Sequence, residues 1–177
     1  MSNIVKTSAS LQLQNKTSYR GVGSYHNNKT VLTKSAMNEL WTHLSFTQMR
    51  FHCSKQQGRT FHVITVANST GEAVVQYFSD QTDVMPHSCH SFVTMDDDTS
   101  KAAKVCEDWG VENGRRNKVG KWSAYGRARG ESEDRSYQYI IIVWAKYHWL
   151  IDPGVRVECD DFMTGVSSGD FWKIYVR

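Results

Sequence analysis

Glu158, Asp160 and Asp161 crowd three carboxylates around Cys159 in the run Val157-Glu158-Cys159-Asp160-Asp161-Phe162, and a Gly/Ser-rich stretch then leads to Asp170. Carboxylates this close repel one another unless water or a shared cation separates them. A cluster of oxygen donors suits Ca²⁺, which takes about six to eight such ligands. We therefore expect a calcium site formed by Glu158, Asp160 and Asp161, with Asp98 and Asp170 as further ligands. Alternation along a strand would put Glu158 and Asp160 on one face and Cys159 and Asp161 on the other. A common ion then requires the strand to end among them, with backbone carbonyls of the 164–168 turn completing the shell. The competing reading is that these acids pair with Arg156, Lys173 or Arg177, and that Asp96, Asp97 and Asp98 are solvated acids at a helix start.

Three other groups of residues carry chemistry of a different kind. Trp122, Tyr125, Tyr147, His148, Trp149 and Trp172 supply rings, and sugars present apolar C–H faces that stack on rings and hydroxyls that bind carboxylates or a calcium ion. His148, Trp149 and Trp122 are the expected carbohydrate contacts, against the alternative that such rings fill the core. Arg115, Arg116, Lys118, Lys121, Arg127 and Arg129, interleaved with Trp122 and Tyr125, have the makeup of a polyanion-binding or membrane-active loop, although Glu131, Glu133 and Asp134 follow to neutralise it. His52-Cys53, His87, Cys89-His90 and His148 set imidazole beside thiol, which would serve a small His/Cys hydrolase, or a zinc hydrolase using His87, Cys89 and His90. The sequence holds no Gly-x-Ser-x-Gly, His-Glu-x-x-His, phosphate loop or dinucleotide fingerprint, and we read it as a non-enzyme.

The elements that must position these residues follow from pattern and composition. The chain has 177 residues, 40% of them apolar and 22% charged, with a net charge of +3. That is one globular domain, too weakly basic to imply a nucleic-acid partner and without an apolar run long enough to span a membrane. The segment 1–34 is rich in Ser, Thr, Asn and Gln and predicts a surface arm or loose N-terminal strand, leaving 35–177 as a single β-rich domain. Met37, Leu40, Trp41 and Leu44 recur at helical spacing after Ser35, and Ala102, Cys106 and Trp109 do so between Ser100 and Gly110. Met49, Phe51 and Cys53, then Phe61 and Val63, alternate about Gly58 and predict a hairpin; Ala73 to Phe78 predicts another strand after a turn at residues 68–71. Tyr137 to Ala145, Tyr147 to Ile151, Val155 to Cys159 and Phe171 to Val176 read as strands, with Ile140 to Trp144 central and covered on both faces. The fold class is mostly antiparallel β with two short helices. Four cysteines allow three pairings. We favour Cys89 with Cys106, a loop of a size worth about 3 kcal/mol, which leaves Cys53 with Cys159; four buried thiols are the alternative. Met1 to Lys6 lacks the apolar core of a signal peptide, so either the chain is a processed secreted form or the protein stays inside the cell.

Several strings also carry a likeness. Gly58-Arg59-Thr60-Phe61-His62-Val63, Asn68-Ser69-Thr70-Gly71-Glu72-Ala73-Val74-Val75, Val119-Gly120-Lys121-Trp122, Glu158-Cys159-Asp160-Asp161-Phe162 and Gly169-Asp170-Phe171-Trp172 look like an extracellular module of cnidarians. Over Trp41 to Arg177 the chain resembles the calcium-dependent galactose-binding lectins of sea anemones. The resemblance implies a secreted, homodimeric, β-rich lectin in which Ca²⁺ coordinates vicinal hydroxyls of terminal galactose on glycans or glycoproteins. No Glu-Pro-Asn or Gln-Pro-Asp tripeptide occurs, so the C-type lectin site does not transfer.

Overall fold

The computed structural model describes residues 14–20, 30–112, 115–116, 118–122, 135, 137–152, 156–162 and 165–177. In chain order, strand β1 (Gln14–Lys16) lies parallel to β2 (Thr30–Leu32), and helix α1 (Lys34–Leu44) follows. Strands β3 (Met49–Ser54) and β4 (Thr60–Thr65) form the expected hairpin, then come α2 (Ser69–Phe78), β5 (Phe92–Thr94) and a 3₁₀ helix (Ala103–Asp108). A two-residue pair, β6 (Val111–Glu112) and β7 (Arg115–Arg116), precedes β8 (Ile141–Val143), β9 (Tyr147–Asp152), β10 (Arg156–Asp161) and β11 (Phe171–Val176). Two antiparallel sheets dominate, of order β11-β3-β4-β5 and β10-β9-β8. Among the described residues no helix is long and apolar enough to cross a membrane.

Period-two alternation sets which face of the larger sheet is wet. Met49, Phe51 and Cys53 of β3, Phe61 and Val63 of β4, and Trp172, Ile174 and Val176 of β11 are buried on the inner face. Trp109, Trp122 and Trp149 join them, with Phe51 against Trp122 at 5.0 Å between ring centroids and Trp109 edge-on to Trp122 at 5.0 Å. Each large ring buried this way stabilises the fold by about 2 kcal/mol or more. The disulfide Cys53–Cys159 runs from β3 to β10 and so joins the two sheets, while Cys89–Cys106 ties the 3₁₀ helix to the loop before β5. Both pairings are those favoured from the sequence, and among the described residues no cysteine is free.

Several elements differ from expectation, each for a local reason. Residues 69–78 are a helix rather than a turn and strand. The Asn68 side chain accepts from the Thr70 and Gly71 amides as an N-cap, and Gly71, Val74, Val75 and Phe78 recur at helical spacing on the buried face. The segment 1–34 is not arm throughout, because Val31 and Leu32 of β2 are fully buried in the core. Helix α1 is capped by Thr33, not Ser35, and its Leu44 is exposed. The second expected helix is a 3₁₀ turn interrupted at Val105, and Ser100 Oγ accepts from the Ala103 amide at its start. In the smaller sheet the central strand is β9; β8 pairs only with β9 there, although Ile141, Ile142 and Val143 are all buried.

Candidate functional site

The five carboxylates expected to share an ion are each held by a different part of the chain. Asp160 is buried, with its backbone in the left-handed region at φ 52°, where the ladder between β10 and β9 slips. That slip breaks the alternation on which a shared acidic face depended. The Lys101 and Ala102 amides donate to the Asp160 carboxylate at 2.9 and 2.6 Å, and Arg59 donates both to that carboxylate and to the Asp160 carbonyl. Lys55 Nζ donates to Asp161 Oδ2 at 2.8 Å. Asp170 accepts from the Gln56 amide at 2.7 Å and the Ser167 amide at 2.8 Å. Three of the acids therefore clasp one element, the 55–59 loop of the β3–β4 hairpin. Glu158 is fully buried and pairs with His148 Nδ1 at 2.6 Å, with Arg156 Nε at 3.4 Å from its other oxygen. Asp98 accepts from the His62 amide at 2.8 Å and from Ser100 Oγ at 3.1 Å, which fixes the turn after β5 against β4. An ion at Asp160, Asp161 or Asp170 would compete with the donors that already hold those carboxylates, whereas Glu158 Oε1 has the Arg156 ion pair but no hydrogen-bond donor among the described residues.

The expected sugar contacts also lie inside. Trp122 is fully buried and donates Nε1–H to Ser91 Oγ at 2.8 Å; Trp149 packs edge-on to Phe51 and Phe61; His148 is buried against Glu158. Stacking on a saccharide needs a ring face open to water, and none of the three offers one. The well-exposed tryptophan is Trp144, at 43%, with the Arg116 guanidinium 4.1 Å from its ring centroid. Of the basic group, Arg116 and Lys118 are exposed, whereas Tyr125, Arg127 and Arg129 lie outside the described residues. The Cys89–Cys106 bond withdraws the thiolate that a cysteine nucleophile or the His87, Cys89, His90 zinc set would need.

What the fold does bring together is the outer face of the larger sheet. Register places Tyr175, Arg50, Ile64 and Val93 in one cross-strand row, and Lys173, His52 and His62 in the next. In the first row the Arg50 guanidinium lies 3.9 Å from the Tyr175 ring centroid, and a shallow open groove of about 80 Å³ is lined by Gln48, Arg50, Ile64, Met95, Tyr175, Val176 and Arg177.

In the second row the His52 and His62 rings stack at 3.6 Å with 4° between their planes. Asp97, from the turn after β5, approaches both: its Oδ1 is 2.5 Å from His62 Nδ1 and its Oδ2 is 3.6 Å from His52 Nε2. Facing an ionised Asp97, His62 Nδ1 is the donor. Phe171 meets His52 edge-on at 4.7 Å, and Lys173 lies over Phe171. Burial, then the neighbouring His62 ring, pushes the His52 imidazole down from its ordinary value to about 4. Partial burial is the largest single influence and works against the Asp97 charge, but the hydrogen bond from His62, the charge interactions with His62 and His52 and a backbone hydrogen bond together outweigh it and hold that carboxyl below the usual range.

This group went unread in the sequence, although the signal was present. A hairpin with Phe51, Cys53, Phe61 and Val63 inward must turn His52 and His62 outward, and pairing about the 55–59 loop sets them opposite each other. Asp97 could not be placed from pattern, because the turn that carries it returns to β4 through the Met95 amide donating to the His62 carbonyl. No family profile, curated protein or solved structure matches this chain.

Proposed function

We propose that this chain is a non-enzymatic carbohydrate-binding module of an oxidising, extracellular compartment, and that its ligand sits in the groove on the outer face of the larger sheet. The observation that carries the reading is the groove's makeup. Ile64 and Met95 give an apolar floor suited to sugar C–H faces, and Gln48, Arg50, Tyr175 and Arg177 give a polar rim suited to hydroxyls. With two guanidinium groups on that rim, an acidic saccharide, carboxylated or sulfated, fits better than neutral galactose. Two disulfides suit an oxidising compartment. Dimerisation would double the sites and raise avidity on a multivalent glycan. Calcium has no part in this reading, since the acidic residues already have protein partners.

A glycan array probed with the full chain, with calcium and then with EDTA, tests it. Binding to acidic glycans that persists in EDTA and falls about tenfold or more in Arg50→Ala and Tyr175→Ala is expected. Binding that requires calcium, or that ignores both substitutions, would move the ligand away from this groove.

A further inference from the structure

We propose that His52, His62 and Asp97 form a binding site for one divalent transition-metal ion of the zinc and copper class. One nitrogen from each ring and one Asp97 oxygen lie within 4.8 Å of one another. In a tetrahedral shell with metal–ligand bonds near 2.0–2.1 Å, donor atoms stand about 3.3 Å apart. The His52 Nε2 to Asp97 Oδ2 separation of 3.6 Å is already close to that spacing, while the 2.5 Å contact between His62 Nδ1 and Asp97 Oδ1 has to open. Asp97 is 58% exposed and sits on a turn, so the adjustment falls on the side chain best able to make it.

His62 is only 6% exposed, so its ring is held in place by its surroundings and by the hydrogen bond from Nδ1 to Asp97. The two rings stand on adjacent strands of a hairpin, register-locked and face to face, so a metal would find both imidazoles already side by side, and they must tilt out of their parallel stack to aim both lone pairs at one ion. Two imidazoles and one carboxylate are a nitrogen-rich set that suits zinc, copper or nickel rather than calcium or magnesium. Three protein ligands with the exposed Asp97 at the edge leave a fourth position to water or an external donor. Lys173 sits opposite His52 in the ladder and opposes a cation there, but its ammonium leans over Phe171, 4.6 Å from that ring's centroid.

This inference does not rest on the saccharide reading, and its test contains no sugar. The full chain, without a histidine tag, is stripped with chelator, returned to metal-free buffer and titrated with zinc chloride by calorimetry. Saturable binding of one ion per chain is expected, at about 10 μM or tighter, with at least about a tenfold loss in Asp97→Asn and in His52→Gln. Asp97 is exposed, so its substitution reports on the site even if a His62 variant fails to fold. With copper, the resonance spectrum should show coupling to two imidazole nitrogens. No saturable binding up to about 1 mM zinc, affinity in both variants within about twofold of the parent, or copper bound through a single imidazole would each overturn the proposal. In those cases the stacked pair is a structural staple holding the 95–98 turn to the sheet.

Discussion

Asp160 shows most directly how a residue that looks like a ligand can be a structural clamp. Its carboxylate satisfies the buried Ala102 amide, the half-buried Lys101 amide and a guanidinium while its backbone sits where only Asn, Asp and Gly are comfortable. Asp160→Ala strands those donors and keeps the backbone penalty, so we expect a loss of about 3 kcal/mol or more in urea unfolding. By the same geometry, calcium should leave the unfolding midpoint of the parent where EDTA leaves it, since an ion would gain little at carboxylates that already hold protein donors. His52 makes a different prediction. Its folded pKa of about 4 lies below the ordinary value of 6.5, so the unfolded chain takes up the proton first as pH falls. Stability from this residue is therefore complete above about pH 6.5 and declines toward pH 4, costing about 2 kcal/mol between pH 7 and pH 5. Thermal unfolding in chelator across that range should show the decline, and His52→Gln should flatten it. The acid-rich run was plain in the sequence. Its meaning was not, because the partners Arg59, Lys101 and Ala102 are far along the chain and are chosen by the fold.

Elements were legible where one signal acted alone and misread where two competed. The β3–β4 hairpin followed from alternation, with its inner face the expected one, and β11 from its aromatic and β-branched content. In α2 the β-branched pair Val74 and Val75 suggested a strand, yet capping and helical spacing prevailed because they satisfy the first-turn amides and bury one stripe. Two substitutions test that account. Asn68→Ala removes the cap and should cost about 1 kcal/mol. Gly71→Ala should cost more, about 2 kcal/mol or above, because a Cβ there would lie 1.9 Å from the Val66 carbonyl oxygen, a backbone atom that cannot swing aside. If urea unfolding shows Gly71→Ala to be neutral or stabilising, α2 does not sit this tightly on the end of β4.

At the scale of the molecule, what the sequence concealed is strand order. β11 pairs with β3 across most of the chain's length, and β10 is joined to β3 by a sulfur bridge, so neither neighbour is implied by local pattern. The cysteines were the exception, since loop length alone favoured one of the three possible pairings. The two bridges do unequal work. Cys53–Cys159 closes a separation of 106 residues and couples the sheets, whereas Cys89–Cys106 closes 17 and secures one turn. Chain entropy makes the first worth about 4.7 kcal/mol and the second about 3 kcal/mol. Against a total of about 5–15 kcal/mol for a domain, the double variant C53S/C159S should unfold at far lower urea than C89S/C106S, and with it the outer-face groove and the His52–His62 pair should lose their geometry. Removing the shorter bridge should instead leave zinc titration near the parent, because β3, β4 and the 95–98 turn hold one another through their own ladder. An inverted order of stability would mean that strain or packing at the bridges, rather than the loops they close, sets their contribution.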